Sequence, residues 1–199
     1  MKDKGEKMYM IHDEVLNLTE SPLYKERVNN KVFPVIGEGS HDAKIMFIGE
    51  APGRNEAATG RPFCGASGKI LDELLADVNL VRESVYITNI VKDRPPQNRD
   101  PSLNEIELYA PFLDRQIEII EPQVIATLGR YAMEYVMRRY SLLDDSAPIS
   151  INHGKVFETK MNYGSVKVIP LYHPAVAIYN NKTKETLFED FKKLISLIK

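Results

Sequence analysis

Cysteine is almost absent from this sequence, which has one, Cys64, among 199 residues. A single cysteine cannot form an internal disulfide or a metal site built from several cysteines. The four histidines are scattered through the chain, and no two of them have the spacing of metal ligands on one helix. Together these absences argue against a structural zinc site.

Long apolar runs and an excess of positive charge are also missing. No apolar run is long enough to cross a bilayer, and residues 1–5 are charged with no apolar signal core behind them. We therefore expect a cytoplasmic protein. The formal net charge is −2, which argues against non-specific coating of nucleic acid but is compatible with an enzyme that contacts a few phosphates.

Two common nucleotide-binding motifs are not found. Residues 49–53 give Gly-x-x-x-Gly rather than the dinucleotide-binding Gly-x-Gly-x-x-Gly, and no Gly-Lys-Ser/Thr is present for a P-loop. Binding of NAD or of a nucleoside triphosphate is therefore poorly supported.

The chain instead alternates β-rich runs with amphipathic helical segments, which predicts an α/β fold with a mostly parallel sheet covered on both faces. Core strands are predicted at residues 44–48, 85–91 and 124–129. A β-hairpin is predicted to join residues 156–159 to residues 166–169. Helices are predicted over residues 6–18, 69–78, 102–121 and 130–140, with a final one using apolar positions from 187 to 198. Residues 32–36 are predicted as an edge strand, residues 37–40 as a turn and residues 141–152 as a loop.

The loops after the predicted core strands begin at residues 49, 89, 129 and 172. Because the carboxyl ends of parallel strands meet at one edge of a sheet, we expect these loops to build one ligand site there. The side chains brought together would be Glu50, Glu56, Phe63, Asn89 and His173. Each alone has an ordinary structural explanation, such as turn capping for a carboxylate or core packing for an aromatic ring.

As a set, these side chains fit a small, planar, polar ring. Phe63 offers a stacking face, and the Asn89 amide offers both a donor and an acceptor. His173 can donate to an oxygen that gains charge as a bond breaks. A carboxylate can orient a water molecule or stabilise a cationic sugar.

Several motifs in a fixed order add a family resemblance. They are residues 49–53 with 60–68, residues 86–92 with 94–101, residues 127–130 and residues 172–175. In these motifs the sequence resembles the uracil-DNA glycosylase superfamily, and family 4 within it, from about residue 21 to the C-terminal helix. The resemblance implies one domain over residues 1–199, with three α/β/α layers around a central, mostly parallel, four-stranded sheet. It also implies an enzyme that flips deoxyuridine out of DNA and hydrolyses the bond between base and sugar.

The resemblance assigns a role to each matched residue. Glu50 and His173 are the implied catalytic residues; Phe63 would stack on uracil and Asn89 would read its polar edge. The other implied substrate-binding residues are Gly49, Ala51 and Glu56. The implied DNA-binding residues, which include a wedge at residues 175–179, are Pro52, Gly53, Gly65, Ser67, Gly129, Arg130, Pro174, Ala177 and Ile178.

The sequence departs from family 4 in its cofactor. The family holds a [4Fe-4S] cluster through four cysteines, and the corresponding residues here are Leu18, Ser21, Asp93 and Tyr109. None of these supplies a thiolate, and Cys64 lies inside the substrate loop. We predict no cluster and no other cofactor, with Leu18 and Tyr109 buried and Asp93 paired with a nearby base.

Other functions stay open from sequence alone. The protein could act on another deaminated base such as hypoxanthine or xanthine, or bind DNA or nucleobases with weak or lost catalysis. It could also be a structural or interaction protein that shares only the fold. Asn89 favours uracil, and the chemically competent pocket residues favour catalysis. The resemblance implies uracil-containing DNA as the partner and a monomer, excludes a membrane, and leaves a sliding clamp open.

Overall fold

One sheet organises the part of the chain that the computed structural model describes, residues 3–142 and 147–198. Its strands are β1 (Glu38–Gly39), β2 (Ile45–Gly49), β3 (Tyr86–Asn89), β4 (Val124–Leu128), β5 (Phe157–Met161) and β6 (Gly164–Leu171). Within those residues they form a six-stranded sheet in the order β1-β3-β2-β4-β6-β5. The central strands β3, β2, β4 and β6 are parallel, and the two edge strands pair in antiparallel fashion. The predicted four-stranded sheet is therefore the parallel centre of a larger one.

Helices cover both faces of this sheet, as the alternating pattern predicted. They are α1 (Lys4–Leu16), α2 (Pro22–Asn30), α3 (Arg54–Thr59), α4 (Ala66–Asp77), α5 (Leu103–Ile120), α6 (Arg130–Arg139), α7 (Ile149–Asn152), α8 (Val176–Tyr179) and α9 (Asn181–Leu197). None of the described helices is long and apolar enough to span a membrane.

Two hydrophobic cores lie on opposite sides of the sheet. In β2, Met46 and Ile48 pack into the core shared with α1, α5 and α6. Ile45 and Phe47 pack into the core shared with α4 and α9. This alternation is the two-residue period of a strand, and because both faces are covered, β2 is apolar along its length. The three-layer α/β/α architecture is confirmed.

The edge beside β3 differs from the prediction. Residues 32–36 do not form the expected strand, because the N–H groups of Phe33 and Val35 donate to two separate segments, at Ala57 O (2.8 Å) and Lys92 O (2.7 Å). The edge strand is instead β1, inside the predicted turn. At Gly39, φ is +122°, and a Cβ would lie 1.9 Å from Val85 O, so only glycine fits there.

Four short helices were not predicted, and one of them, α8, lies in the segment expected to wedge into DNA. α2 starts at the Ser21 N-cap with Pro22 in its first turn, but it has few buried positions to create a periodic pattern. α3 lies inside the glycine-rich loop after β2. α7 lies within the loop predicted over residues 141–152, of which residues 143–146 fall outside the described part of the chain.

Candidate active site

A cavity of about 400 Å³ lies at the carboxyl ends of the parallel strands. The five side chains expected to meet there all line it, namely Glu50, Glu56, Phe63, Asn89 and His173. Its other lining residues are Ala51, Pro52, Gly53, Ser67, Pro95, Asn98, Arg99 and Ala175. The predicted convergence of the strand-end loops is therefore confirmed.

Phe63 forms an aromatic wall of this cavity. Its ring centroid lies 5.6 Å from that of His173, at an interplanar angle of 32°. Its backbone has a φ of +48°, which is uncommon for a residue with a side chain. A Cβ at Gly49 would lie 2.7 Å from Phe63 Cζ and 2.3 Å from Asn89 Oδ1. Glycine at position 49 is therefore what lets Phe63 and Asn89 approach each other.

Asn89 ends strand β3 with its side chain at the cavity and is only 2% exposed. Among the described residues, no hydrogen bond uses its side-chain amide. The side chain lines the cavity, so a ligand that offers both a donor and an acceptor can pair with the amide. This arrangement is suited to reading the edge of a base.

The backbone of Asn89 is held by a fully buried lysine, Lys92. Lys92 Nζ donates to Asn89 O (2.6 Å), Thr88 Oγ1 (2.8 Å) and Gln116 Oε1 (2.5 Å). Burial lowers the pKa of Lys92 well below its ordinary value. The three acceptors nevertheless match the three N–H donors of an ammonium group, and they tie the end of β3 to α5.

His173 is held in one tautomer. Its Nδ1 accepts the backbone N–H of Ala175 at 3.1 Å, so in the neutral ring the proton is on Nε2. Burial lowers the pKa of His173 to about 4, although the charge of Glu56 opposes that shift. The ring is therefore neutral at pH 7 and carries one N–H donor.

Among the carboxylates at the cavity, Glu50 has a pKa that is raised far above its ordinary value. Burial, with a smaller contribution from the negative charge of Asp100, raises the pKa of Glu50 to about 7, against the opposing charge of Arg130. Asp100 is held in place by a hydrogen bond from the Tyr131 hydroxyl. Glu50 thus changes charge in the range where an acid–base group works best.

Glu56 shapes the loop as well as lining the cavity. Its Oε1 accepts the backbone N–H groups of Cys64 (3.0 Å) and Gly65 (2.9 Å). A Cβ at Gly53 would lie 2.6 Å from Glu56 Oε2. The Glu56 carboxylate therefore bonds to residues 64–65 while it lies close to Gly53, so it connects the two ends of the segment between β2 and α4.

The residues after β3 supply a wall that the sequence analysis did not assign to the site. We call residues 94–100 the pocket-wall loop; its Pro95, Asn98 and Arg99 line the cavity. Gln97 and Asn98 have φ values of +57° and +56°. Arg99 donates to both oxygens of Glu105 on α5, at 2.8 and 2.6 Å. In the sequence, this wall was indicated by the polar, proline-rich residues 92–101 that directly follow a predicted core strand.

The remaining predicted DNA contacts lie around the cavity rather than in it. Gly129, with φ of +92°, would bring a Cβ within 3.1 Å of His173 Cβ. Ala177 is 5% exposed and packs into the core with α9, so it offers little surface to DNA. Ile178 and Tyr179 beside it are 43% and 87% exposed. Gly65, Arg130 and Pro174 are not among the lining residues.

The four residues expected at the family 4 cluster-ligand positions, Leu18, Ser21, Asp93 and Tyr109, lie close together. The Tyr109 hydroxyl lies 2.6 Å from Asp93 Oδ2 and 2.9 Å from Ser21 Oγ. Asp93 pairs with Arg27 at 3.2 Å. We call Ser21, Arg27, Asp93 and Tyr109 the buried tetrad. The predicted burial of Tyr109 and pairing of Asp93 are confirmed, whereas Leu18 is only half-buried.

The tetrad residues are not suited to hold iron or zinc. Across residues 3–142 and 147–198, no group of three His, Cys, Asp or Glu side chains could hold a metal ion. At the tetrad, the single carboxylate already accepts from Tyr109 and Arg27. Cys64 is a half-buried free thiol whose Sγ lies 3.3 Å from Thr59 Oγ1, and none of the tetrad hydrogen bonds involves it.

Comparisons with known proteins agree with this geometry. Residues 36–195 match the family described as the Uracil DNA glycosylase superfamily. The Type-4 uracil-DNA glycosylase of Sulfurisphaera tokodaii is 44% identical over 188 residues, which are 94% of this chain and 83% of that protein. The one from Archaeoglobus fulgidus is 44% identical, over 91% of this chain and 88% of the relative. The one from Thermotoga maritima is 40% identical over 100% of this chain and 98% of its own length.

Proposed function

Because this chain belongs to the uracil DNA glycosylase superfamily, we propose that it removes uracil from DNA and leaves an abasic site. Its relatives are named Type-4 uracil-DNA glycosylases, and an enzyme with that activity is a DNA-repair hydrolase that acts on an N-glycosyl bond. The observation that carries the proposal is that Phe63, Asn89 and His173 all line the same cavity. A base must leave the duplex to reach such a cavity.

Recognition of the base follows from the cavity walls. Phe63 stacks on the flipped uracil, and the unpaired Asn89 amide donates to a uracil oxygen and accepts from the ring N–H. Ala51 and Glu56 line the cavity beside them, and Gly49 acts on the base indirectly, by leaving room for Phe63 and Asn89. A base whose edge does not match the Asn89 amide would displace water from it without forming these two hydrogen bonds, and would therefore bind less well.

Bond cleavage uses His173 and Glu50. As the base–sugar bond breaks, its electron pair leaves with uracil, and the His173 Nε2–H donates to the oxygen that gains negative charge. Glu50, as a carboxylate, orients the attacking water or stabilises the cationic sugar. The water oxygen bonds to the sugar, and its proton goes to the carboxylate or to solvent.

Contacts with DNA surround this cavity. Pro52, Gly53 and Gly65 lie in the loop regions after β2, and Ser67 lies in the first turn of α4; their backbone can approach phosphates closely. Since Ala177 faces the core, insertion into the duplex falls to the exposed Ile178 and Tyr179. Binding to a sliding clamp, a monomeric state, a single domain over residues 1–199 and a cytoplasmic location stay predictions.

We also propose that the protein needs no iron–sulfur cluster. The residues at the four ligand positions lack thiolates, and three of them share hydrogen bonds in the buried tetrad. The resemblance to family 4 thus does not extend to its cofactor. Iron analysis of the purified protein tests this point, and iron at a four-to-one ratio to chain would contradict it.

The experiment that tests the function uses labelled oligonucleotides carrying one uracil opposite G, opposite A or unpaired. Alkali then reveals any abasic site, and the His173→Ala and Asn89→Ala proteins are run beside the wild type. Cleavage by the wild type alone supports the assignment. Oligonucleotides with hypoxanthine or xanthine run in parallel, and cleavage of these without cleavage of uracil would replace uracil as the substrate.

A further inference from the structure

We propose that the buried tetrad is a metal-free positioning device that fixes the pocket-wall loop and so sets how tightly the flipped nucleotide is held. The inference rests on the proposed function, because it concerns the wall of that same cavity. It adds Tyr109, Asp93, Arg27 and Ser21 to the residues on which substrate binding depends, although none of them lines the cavity.

The tetrad joins separate parts of the chain through an ion pair whose guanidinium also binds backbone carbonyl groups. Arg27 Nη1 reaches both oxygens of Asp93 (3.2 Å each) and also Val15 O (3.1 Å). Arg27 Nη2 donates to Leu16 O at 2.6 Å. The end of α1, helix α2 and the segment after β3 are therefore joined through one buried ion pair, Arg27 with Asp93. Removing one partner of such a pair leaves a buried charge without compensation.

The tetrad lies at the start of the pocket-wall loop, because Asp93 immediately precedes it. The loop is also fixed at its other end, where Arg99 binds Glu105 through two hydrogen bonds. Glu105 and Tyr109 are four residues apart on α5 and therefore lie on the same face of that helix. The wall is thus fastened at both ends to one face of α5.

Between these two attachments the backbone is in an unfavourable conformation. Gln97 and Asn98 are consecutive residues with left-handed backbone angles, and neither is glycine. Such a conformation persists only when its surroundings determine it. Within the loop, Asn98 N–H donates to Pro95 O and Arg99 N–H donates to Pro96 O, both at 3.1 Å. If the first attachment is lost, we expect these bonds to open and Asn98 and Arg99 to leave their places at the cavity.

The test compares Tyr109→Phe with a matched control, Tyr135→Phe. Both remove a tyrosine hydroxyl that binds an aspartate, but Tyr135, on α6, binds Asp114 within α5 (3.2 Å) and does not line the cavity. Hydrogen exchange is measured at the amides of residues 97–100, together with steady-state cleavage of a uracil oligonucleotide. Circular dichroism melting shows how much stability each variant has lost.

We expect Tyr109→Phe to speed exchange at Asn98 and Arg99 by at least about tenfold while the control leaves it unchanged. The wall holds substrate in the ground state and the transition state alike, so KM should rise about five- to tenfold with kcat changed less than twofold. A loss of stability alone would not produce this split.

Unchanged exchange over residues 97–100 in Tyr109→Phe, or an equal change in Tyr135→Phe, would overturn the proposal. If Tyr109→Phe does not fold, Ser21→Ala is used instead. It removes one hydroxyl of the tetrad and with it the N-cap bond from Leu23 N–H to Ser21 Oγ, and it is expected to show the same effects at smaller size. No effect in that folded variant also overturns the proposal. The exchange measurement needs no activity. A wild type that releases no uracil would therefore refute the proposed function while leaving this test decisive.

Discussion

The backbone N–H of Ala175 donates to Nδ1 of His173 at 3.1 Å, and this bond leaves Nε2 as the ring's N–H donor toward the cavity. The donor and the ring are two residues apart, so the tautomer is set locally by the turn after β6. A neutral donor is available because burial lowers the pKa of His173 to about 4. Activity between pH 5 and 9 should therefore not depend on the charge of this ring.

Replacing His173 removes the donor to the leaving base. We expect His173→Ala to lower the single-turnover rate by about 10²–10³-fold, the effect of deleting one donor to a developing oxyanion. Binding of DNA that carries an abasic site should change little. A rate within threefold of wild type, in a variant that melts normally, would remove His173 from the mechanism.

The acid limb of the pH–rate profile should belong to Glu50. Because its pKa is raised to about 7, the carboxylate forms as pH rises through neutrality, so the single-turnover rate should rise with pH and level off above about pH 8. Glu50→Gln should be slow and should lose this limb. A limb that survives in Glu50→Gln would assign it to another group.

The raised pKa of Glu50 also affects folding stability. As pH rises through neutrality the reaction rate should rise, but the Glu50 contribution to stability should fall. The folded protein binds the Glu50 proton up to about pH 7, against a usual value of 4.5. Between these values the folded state holds more protons than the unfolded state, so the Glu50 contribution to the free energy of unfolding falls as pH rises. Urea unfolding at pH 5 and pH 7.5 should show a smaller decrease in the free energy of unfolding for Glu50→Gln than for the wild type.

Asp100 should influence the pH dependence of the reaction rate through Glu50. Asp100→Asn removes a neighbouring negative charge and should move the acid limb of the pH–rate profile to lower pH.

Base choice should depend on the Asn89 amide. In Asn89→Asp the side chain can no longer donate while it is ionised, so uracil cleavage should fall by about 10²-fold or more, in line with loss of a buried hydrogen-bond donor to substrate. Cytosine, whose edge carries an additional donor, should gain measurable cleavage. Oligonucleotides with either base measure both effects, and unchanged uracil cleavage would contradict the role given to Asn89.

Gly49 should be intolerant of any side chain. A Cβ there would meet Asn89 Oδ1 at 2.3 Å and Phe63 Cζ at 2.7 Å, so Gly49→Ala must displace one of the two. We expect a loss of about 1–3 kcal/mol in stability, typical of overpacking, and a larger loss of uracil cleavage than of DNA binding. Gly5→Ala is the control, because its nearest contact is the flexible Asp3 side chain at 3.3 Å. Equal behaviour of the two variants would contradict this reading.

Much of the site could be predicted because strand ends determine it. Glu50, Asn89 and His173 each follow or end a parallel strand, so their meeting required only the order of strands and helices. The wall residues Asn98 and Arg99 could not be placed in the same way. Their position depends on left-handed angles at Gln97 and Asn98, which no periodic pattern encodes. Likewise β1 has only two residues, too few for an alternating pattern to reveal.

Helix α5 holds the segment from β3 to the pocket wall at three places: Gln116 binds Lys92, Tyr109 binds Asp93, and Glu105 binds Arg99. The two segments run antiparallel, because residue numbers fall along α5 as they rise from Lys92 to Arg99. The three attachments therefore succeed one another along the helix. In protein engineering, the pocket-wall loop and α5 should therefore be exchanged between relatives together. A loop taken from a relative with a different base preference should work only when the matching α5 residues are moved with it.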